Sequence, residues 1–336
     1  MWECPDFYPV VVAGGSQHHQ SGVDTMELHD RTVAEEVKYV LKVSLDLTRY
    51  KYYTVGTYDH DKDRYTPDPT FPDNNYGLRY DYGDFYAFKS FFDLAKKRRV
   101  LWGWANESDT IPDDCHNAGP TSRRRFGGIC WGLEETLAGW SGPASAVSHG
   151  VVTLLGGEAE VPPIHIRTPL GRKFKIQSGL GGGGALRIVT SMEAPSWEVG
   201  VGPFGLWLLA SNDLKERTAV FFRVFKTNDT NYVVLMCNDP TRSSYESQIY
   251  RPTFASFVNI DIAKTKKIAL RTLIDHSVVE SSGAGGRTSI LTRVYRKATG
   301  DDTHLLDFNN GESDIKVTNL HAWEMKTPTM NKLLEQ

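Results

Sequence analysis

The chain has 336 residues, which is enough for two domains that each have a hydrophobic core. Its 40% hydrophobic and 24% charged residues are typical of a globular protein, and its formal charge of −3 argues against a nucleic-acid or anionic membrane partner. No apolar run approaches the roughly 20 residues that a membrane-spanning helix needs, so we expect no membrane partner of any kind.

The first part of the chain, residues 1–110, is predicted to consist of short strands and turns. Residues 39–58 are rich in β-branched and aromatic side chains, and residues 59–77 are rich in Asp, Asn, Pro and Gly, which favour turns. Strand-like runs resume at 78–92 and 100–104. Since no segment has a long helical periodicity, the pattern indicates an all-β fold.

The composition changes between residues 111 and 198. No Asp occurs between Cys115 and Asn212, and glycines cluster at 181–184. One interpretation is a Gly- and Arg-rich segment that is flexible or disordered. Another is a shifted reading frame or a retained intron. We therefore set 111–198 apart as an anomalous segment between two domains.

Residues 199–336 return to a strand pattern. Residues 218–225 alternate, which places positions 220, 222 and 224 on one face, and a turn leads from there into a second strand at 232–236. This part of the chain therefore begins with a predicted hairpin.

Two more hairpins are predicted further along. One turns around 282–286, and the other turns at Asn309-Asn310-Gly311, between strands at 304–308 and 315–323. Regular hairpins of this length are typical of a β-sandwich, so 199–336 is predicted to be a sandwich domain.

The four cysteines, Cys4, Cys115, Cys130 and Cys237, form no CxxC pair, so no zinc site is predicted. We expect no other metal and no cofactor.

Asn106 and Asn228 are candidate glycosylation sites. They begin the sequons Asn106-Glu107-Ser108 and Asn228-Asp229-Thr230, which are compatible with secretion but also arise by chance. No basic region followed by an apolar one comes after Met1, so we expect no signal peptide in these 336 residues.

Glu3 is the candidate catalytic residue. Retaining glycosidases use two carboxyl groups about 5 to 5.5 Å apart: one attacks the anomeric carbon, and the other protonates the leaving oxygen and then deprotonates water. The acid has to keep its proton near neutral pH, which apolar neighbours favour. Glu3 lies between Trp2 and Cys4-Pro5, although a lone Glu beside Trp is more often an ordinary structural residue.

Several long segments of the sequence resemble one known family. They are MWECPDFYPV at 1–10, LRYDYGDFYAFKSFFD at 78–93, RRVLWGWANESD at 98–109, VGPFGLWLLASNDLKERTAVFFRVFK at 201–226, VVLMCNDPTRSS at 233–244, LIDHSVVESSGAGGRT at 273–288 and HAWEMKTPTMN at 321–331. These blocks resemble those of the plant invertases and fructan exohydrolases of glycoside hydrolase family 32, over about 1–110 and 200–332.

The resemblance implies a fold and an activity. The fold is a five-bladed β-propeller that carries the active site, followed by a β-sandwich. The activity is hydrolysis of a terminal β-fructofuranosyl bond in a small-molecule sugar such as sucrose or a short fructan, with retention. Glu3 matches the acid/base of the family's WECPD motif, and Trp2 is a candidate for sugar binding. Asp6, in the same motif, is assigned a structural hydrogen-bonding role.

Two further acidic residues of the family have no counterpart in these 336 residues. The nucleophilic Asp belongs to a WMNDPNG-type motif and a transition-state-stabilising Asp to an RDP motif, both of which precede WECPD. Asn238-Asp239-Pro240 lies in the sandwich region, and Asp68-Pro69 lacks the preceding Arg, so neither is assigned these roles. We therefore interpret the chain as an N-terminally truncated member with an incomplete propeller. As written, it is expected not to hydrolyse sucrose.

Asp46 and Arg49 bear on substrate choice. Asp46 follows Ser44-Leu45, as in relatives that use sucrose, and Arg49 could hold its carboxylate toward a glucosyl hydroxyl. The alternative is a surface ion pair of little consequence. The pattern favours an invertase over a fructan exohydrolase. Pro5 after Cys4 resembles the cell-wall forms, which implies an extracellular location.

Three readings of the function stay open. The favoured one is an active β-fructofuranosidase whose sequence here is an incomplete gene model. The second is a non-catalytic relative that binds sugar or regulates an intact invertase. The third is a pseudogene product without a function.

Overall fold

The computed structural model of the chain describes residues 2–11, 37–45, 50–70, 79–93, 98–106, 126–127, 133–134, 147–148, 153–154, 164–166, 173–175, 185–197, 200–228, 231–245, 249–275, 277–296 and 304–325. Most of these residues lie in strands, and the single helix among them, α1 (Ile262–Thr265), has four residues. The all-β prediction is confirmed. Within the ranges just given, no helix is long and apolar enough to cross a membrane.

The chain divides into two compact units, Met1–Glu107 with Arg124–Trp140, and Ser108–Arg123 with Ser141–Gln336. The strands of the first unit are β1 (Trp2–Val11), β2 (Val37–Leu45), β3 (Lys51–Asp59), β4 (Arg64–Pro67), β5 (Phe85–Asp93), β6 (Arg98–Asn106), β7 (Phe126–Gly127) and β8 (Leu133–Glu134). The strands of the second unit are β9 (Val147–Ser148), β10 (Thr153–Leu154), β11 (Ile164–Ile166), β12 (Lys173–Lys175), β13 (Ala185–Glu193), β14 (Val201–Ala210), β15 (Thr218–Lys226), β16 (Tyr232–Asp239), β17 (Phe254–Val258), β18 (Lys267–Asp275), β19 (Val278–Gly283), β20 (Thr288–Arg293), β21 (His304–Asn309) and β22 (Ile315–Met325).

The first unit contains two antiparallel sheets. One is a four-stranded meander in the order β1-β2-β3-β4, and the other runs β5-β6-β7, with β8 also paired to β6. Successive antiparallel sheets of four strands are the blades of a β-propeller. Both sheets begin with an edge strand, β1 or β5, and hydrogen bonds join these two edges. The edges position the candidate site.

The second unit is a sandwich of two six-stranded sheets. Their orders are β11-β22-β13-β18-β19-β20 and β12-β21-β14-β15-β16-β17. The inner faces meet closely: a side chain added at Gly283 of one sheet would lie 2.7 Å from the Met236 sulfur of the other. Phe222, also beside Gly283, is fully buried. Glycine at this point therefore allows the two layers to approach each other.

Two of the predicted hairpins are confirmed. β15 pairs with β16, and β19 pairs with β20, both antiparallel and in continuous register. Val220, Phe222 and Val224 are at most 1% exposed, so the predicted face is the buried one. Strict alternation was a reliable signal here because one face of each sheet contacts the other layer.

The third predicted hairpin is wrong. β21 pairs with β12 and β14, whereas β22 pairs with β11 and β13 in the opposite sheet. The Asn309 amide donates to Ser313 O at 2.7 Å, and its carbonyl oxygen accepts from Gly311 N at 2.9 Å. These bonds turn the chain from one layer to the other. An Asn-Gly pair predicts a tight turn but does not fix which strands it joins.

Strand β13 lies inside the segment that composition set apart at 111–198. It pairs with β18 on one side and with β22 on the other, at the centre of a sandwich sheet. Ile188 and Met192 are fully buried there. The sandwich therefore begins before residue 199. A lack of Asp does not disturb alternation, and alternation of the side chains decides strand formation.

Candidate active site

Glu3 lies near the start of β1 and is half-buried. Its Cα pairs with that of Ser44, and the register then shifts before Asp6 pairs with Lys42. The one extra residue of β1 forms a β-bulge, in which Cys4 has a φ of 45°, in the left-handed region. Bulges re-aim side chains next to functional sites. This bulge leaves the carboxylates of both Glu3 and Asp6 in contact with β5.

Tyr86 of β5 is the residue that holds Glu3. Its hydroxyl donates a hydrogen bond to Glu3 Oε2, from a position 83 residues away in the sequence. Ala87 follows it with a φ of 48°, and the register shifts before Lys89. The two edge strands therefore repeat one local geometry, in which a site residue precedes a left-handed residue and a bulge. Among the described residues, none donates to the second carboxyl oxygen, Glu3 Oε1.

Asp6 joins the two edge strands. Its Oδ2 accepts a hydrogen bond of 2.7 Å from the Ser90 backbone N–H, and the neighbouring Pro5 carbonyl accepts one from Lys89 Nζ. The structural role predicted for Asp6 is therefore confirmed. The contact fixes the distance between β1 and β5, and with it the approach of Tyr86 to Glu3.

Lys42 is a fully buried lysine next to the bulge. Its ammonium donates to Cys4 O at 2.8 Å and to Phe88 O, and lies 3.7 Å from the centre of the Phe88 ring. Burial lowers the pKa of Lys42 to about 8, and the nearby Asp6 carboxylate opposes part of that shift. Lys42 thus stabilises the two backbone segments that follow Glu3 and Tyr86.

Lys51 lies in a row with the candidate acid. Glu3 pairs with Ser44, and Ser44 pairs with Lys51, so the three side chains share one face of the sheet. The Lys51 ammonium is 5.2 Å from the centre of the Tyr86 ring. Burial lowers the pKa of Lys51 to about 8, against the opposing effect of the Asp81 carboxylate. A positive charge is thereby held behind the phenol that contacts Glu3.

The other predicted site residues differ in how far the structure describes them. Trp2 is 60% exposed, beside Glu3 on β1, and its ring is available to a ligand. Asp46 and Arg49 lie outside the described residues. Asn106 ends β6, but its side chain is outside the description. Asn228 is exposed, and its side-chain oxygen accepts from Asn231 N at 2.8 Å.

The arrangement can hold one carboxyl group in a fixed orientation beside an exposed aromatic ring. Sequence reasoning found Glu3 and Trp2 through the motif but missed Tyr86, Lys42 and Lys51. A lysine within a strand pattern is ordinarily exposed, and the apolar neighbours of the Tyr in FYAF predict a core residue. No local signal marked them, because each acts on a residue of another strand.

Models of two known domains match the chain. The glycosyl hydrolases family 32 N-terminal domain matches residues 1–125, and the glycosyl hydrolases family 32 C-terminal domain matches residues 169–324. The second match begins within the segment 111–198, in agreement with the sandwich pairing of β13.

Two curated plant proteins are similar over nearly the whole chain. "Beta-fructofuranosidase, insoluble isoenzyme 3" of Oryza sativa subsp. indica is 60% identical over 367 residues, which cover 98% of this chain and 59% of the rice protein. "Beta-fructofuranosidase, cell wall isozyme" of Zea mays is 46% identical over 98% of this chain and 58% of its own length. The chain therefore spans less than two thirds of these relatives.

A solved structure is also similar. The crystal structure of fructan 1-exohydrolase IIa from Cichorium intybus superposes with a TM-score of 0.71 and 32% identity, covering 97% of this chain and 62% of that one. A variant of the chicory protein has been solved in complex with 1-kestose, with a TM-score of 0.68 to this chain at 31% identity and the same coverage.

Proposed function

Since the chain belongs to glycoside hydrolase family 32, we propose that it supplies the acid/base half of the active site of a retaining β-fructofuranosidase that acts on sucrose. The observation that supports this most directly is the hydrogen bond from Tyr86 to Glu3 Oε2, which orients one carboxyl group beside the exposed Trp2 ring. The 60% identity to a rice protein named as a β-fructofuranosidase supports the substrate class.

Glu3 is the acid/base in this proposal. Its proton goes to the oxygen that leaves the anomeric carbon, and the resulting carboxylate then removes a proton from the water that releases fructose. Tyr86 holds Oε2, so Oε1 is the oxygen that faces the substrate. Trp2 offers a flat apolar ring to the sugar next to it.

The reaction needs a second carboxylate about 5 to 5.5 Å from the first. By the family resemblance, it belongs to a WMNDPNG-type motif, which these 336 residues do not contain. Without a nucleophile, proton transfer by Glu3 alone gives no glycosyl-enzyme. The 336 residues expressed alone are therefore expected to give no turnover of sucrose.

Asp46 and Arg49 are proposed to set the preference for sucrose, with Asp46 accepting a hydrogen bond from a glucosyl hydroxyl. The likeness to the chicory structure favours a second candidate function, a fructan exohydrolase. The two functions differ in the ratio of kcat/KM for sucrose to kcat/KM for 1-kestose, which is measured in a chimera that contains these 336 residues within the rice isoenzyme. Replacing Asp46 by Ala in that chimera is expected to lower the ratio at least tenfold if sucrose is the substrate.

We also propose that the protein acts at the cell wall. The rice relative is named as an insoluble isoenzyme and the maize relative as a cell wall isozyme. Immunolocalisation in plant tissue with an antibody against the second unit tests this, and a signal confined to vacuoles or cytosol would contradict it.

The catalytic proposal is tested in a chimera, in which these 336 residues replace the matching region of the rice isoenzyme. The chimera is expected to hydrolyse sucrose and to release β-fructofuranose as the first anomer, detected by NMR. Replacing Glu3 by Gln is expected to lower kcat by about 10²- to 10⁴-fold. Glu312, exposed in the second unit, provides the matched control, and Glu312→Gln should leave kcat unchanged.

Two results would contradict the proposal. One is a chimera whose activity survives Glu3→Gln. The other is turnover by the isolated 336-residue chain that disappears in Glu3→Gln, which would show that a nucleophile is present within these residues.

A further inference from the structure

The second unit contains a cavity of about 260 Å³ on the outer face of one sandwich sheet. Its floor is aromatic and comes from three neighbouring strands: Trp207 of β14, Phe221 of β15 and Phe308 of β21. The rings of Trp207 and Phe308 stack with centroids 5.1 Å apart, and those of Phe221 and Phe308 meet edge to face at 6.2 Å. These three side chains belong to the face of the sheet that is turned away from the sandwich core.

Gly205 lies between two of these aromatic residues. It pairs with Phe221 on one side and with Phe308 on the other. A Cβ at this position would lie 2.1 Å from the Val220 carbonyl oxygen and 2.6 Å from the Phe221 Cα. Glycine is therefore needed here for the backbones of β14 and β15 to approach each other.

Charged groups of both signs surround this floor. The Arg217 guanidinium lies 4.7 Å from the centre of the Trp207 ring and also donates to Leu214 O. Arg242 is exposed at the cavity, and its backbone carbonyl accepts from Arg217 N at 2.6 Å. The Asp239 carboxylate also lines the cavity. The cavity therefore presents guanidinium donors and a carboxylate acceptor at one edge of an apolar surface.

These polar groups are only partly used by the protein. Asp239 Oδ1 accepts from Thr241 N at 2.9 Å and from Thr253 Oγ1 at 3.2 Å, whereas Oδ2 has no donor within the described part of the chain. The Arg242 guanidinium likewise makes no hydrogen bond to the residues described. A ligand can therefore use both without breaking a protein contact.

The chemistry of the cavity selects a ligand class. A simple anion would be attracted by the arginines but repelled by Asp239. A cation would be attracted by Asp239 but repelled by the arginines. A sugar hydroxyl donates to a carboxylate and accepts from a guanidinium at the same time, and the C–H face of a sugar ring fits an aromatic floor. The volume is just below the 300 to 1,000 Å³ typical of sites for drug-sized ligands, which suits one or two sugar rings.

We propose that this cavity is a second sugar site, which binds one terminal unit of an oligosaccharide in the sandwich unit. Binding uses the Phe221 ring, which the buried Phe308 ring supports from the side, as the platform and Arg242 and Asp239 as the hydroxyl partners. The site contains none of the residues assigned to catalysis and does not depend on the activity proposed for Glu3. The protein would thus retain a saccharide without acting on it.

Calorimetric titration of the 336-residue chain tests the proposal. Sucrose, 1-kestose and, as an anionic probe, inorganic phosphate are titrated separately into the wild-type protein and into Arg242→Ala and Phe221→Ala. A sugar is expected to bind, and each substitution is expected to weaken its affinity at least fivefold, which is the effect of losing one good hydrogen bond or contact. Phosphate is expected not to bind at the cavity.

Matched control residues lie on β15, the strand that contains Phe221. Arg223 and Phe225 are exposed beyond the cavity, so Arg223→Ala and Phe225→Ala should leave the affinity unchanged. Thermal unfolding of each variant checks that the second unit is folded. Trp2→Ala separates this site from the one around Glu3, because it should not affect binding to the cavity.

Three outcomes would overturn the proposal: no sugar binding at millimolar concentrations, binding that Trp2→Ala removes but Arg242→Ala does not, or binding of phosphate in place of sugar. None of them bears on sucrose hydrolysis by the chimera, so failure here is distinguishable from failure of the catalytic proposal.

Discussion

The two units bury different kinds of residues. Where β1 meets β5, Lys42 is buried next to the two bulges that follow Glu3 and Tyr86. Lys51 is buried in the row of side chains that contains Glu3. Between the sandwich sheets, the buried row on β15 is apolar, and its register with β16 continues without a shift. The first region combines irregular backbone with buried charge, and the second combines regular backbone with apolar contact.

The first region therefore serves to position functional groups, whereas the second mainly contributes stability. Burial of an ammonium group costs free energy, and such a group is retained where its hydrogen bonds position something else. Lys42 binds one carbonyl group within each bulge, and so supports the contact between Tyr86 and Glu3. Continuous apolar rows contribute stability without selecting any one side chain for chemistry.

The largest effect is expected in the sandwich core. Replacing Phe222 by Ala removes a fully buried ring and should lower the free energy of unfolding of the second unit by about 3 to 5 kcal/mol. Phe225→Ala, at a position 38% exposed on the same strand, should cost less than about 1 kcal/mol. Urea unfolding, monitored by hydrogen exchange of peptides from each unit, measures both. Equal losses would contradict the assignment of the inner face.

The buried lysines give the junction a pH dependence. The folded pKa of Lys42, about 8, is below its unfolded value of 10.5, so the native state holds fewer protons between these values. The stability of the first unit should therefore rise with pH across this window, by roughly 2 to 3 kcal/mol, and be lost as pH falls back through 8. Lys42→Met should remove its share of the rise, seen in urea unfolding at pH 7, 8, 9 and 10.

The control for this experiment is Lys62→Met, because the Lys62 side chain is 75% exposed. Its pH curve should run parallel to that of the wild type. If the curve of Lys42→Met also runs parallel to that of the wild type, burial does not lower the pKa of Lys42. The buried lysine would then titrate like the exposed Lys62.

A smaller effect is expected from the hydroxyl that holds Glu3. In the chimera, Tyr86→Phe should lower kcat about tenfold and leave KM unchanged, because the ring is kept and only the orientation of the acid is lost. Tyr82→Phe, in the turn before β5, should leave kcat unchanged. A change confined to KM would place Tyr86 in substrate binding instead of positioning.

The smallest effect has the opposite sign in the sandwich. Burial raises the pKa of Cys237 from 9 to about 11, and the Asp239 carboxylate adds to this. Stability that is present below pH 9 should thus be lost as the pH rises toward 11, by about 1 kcal/mol at pH 10. Cys237→Ala should abolish this loss. Measurements stop at pH 10, the pH at which Arg271, whose pKa burial lowers to about 10, is half deprotonated. A sandwich that gains stability from pH 9 to 10 would contradict the prediction.

Local pattern predicted much of the fold. Alternation located β15 and its buried face, the turn at 227–231 gave its hairpin with β16, and the WECPD motif identified Glu3. Each of these features is encoded within about ten consecutive residues, where the direction of each side chain follows from backbone period alone.

Long-range pairing was beyond the same patterns. The sequence predicted β21 and β22 as strands but not that they enter opposite sheets, and it marked Glu3 but not Tyr86, which lies 83 residues away. Strand period fixes which face a residue is on, whereas its neighbours across strands are decided by how whole sheets pack. The sequence alone therefore determined the family, the β architecture and the candidate acid, Glu3. Only the tertiary structure decided what holds Glu3 in place, because Tyr86 meets Glu3 through the packing of one blade against the next, and Lys42 and Lys51 lie on neighbouring strands of its own sheet.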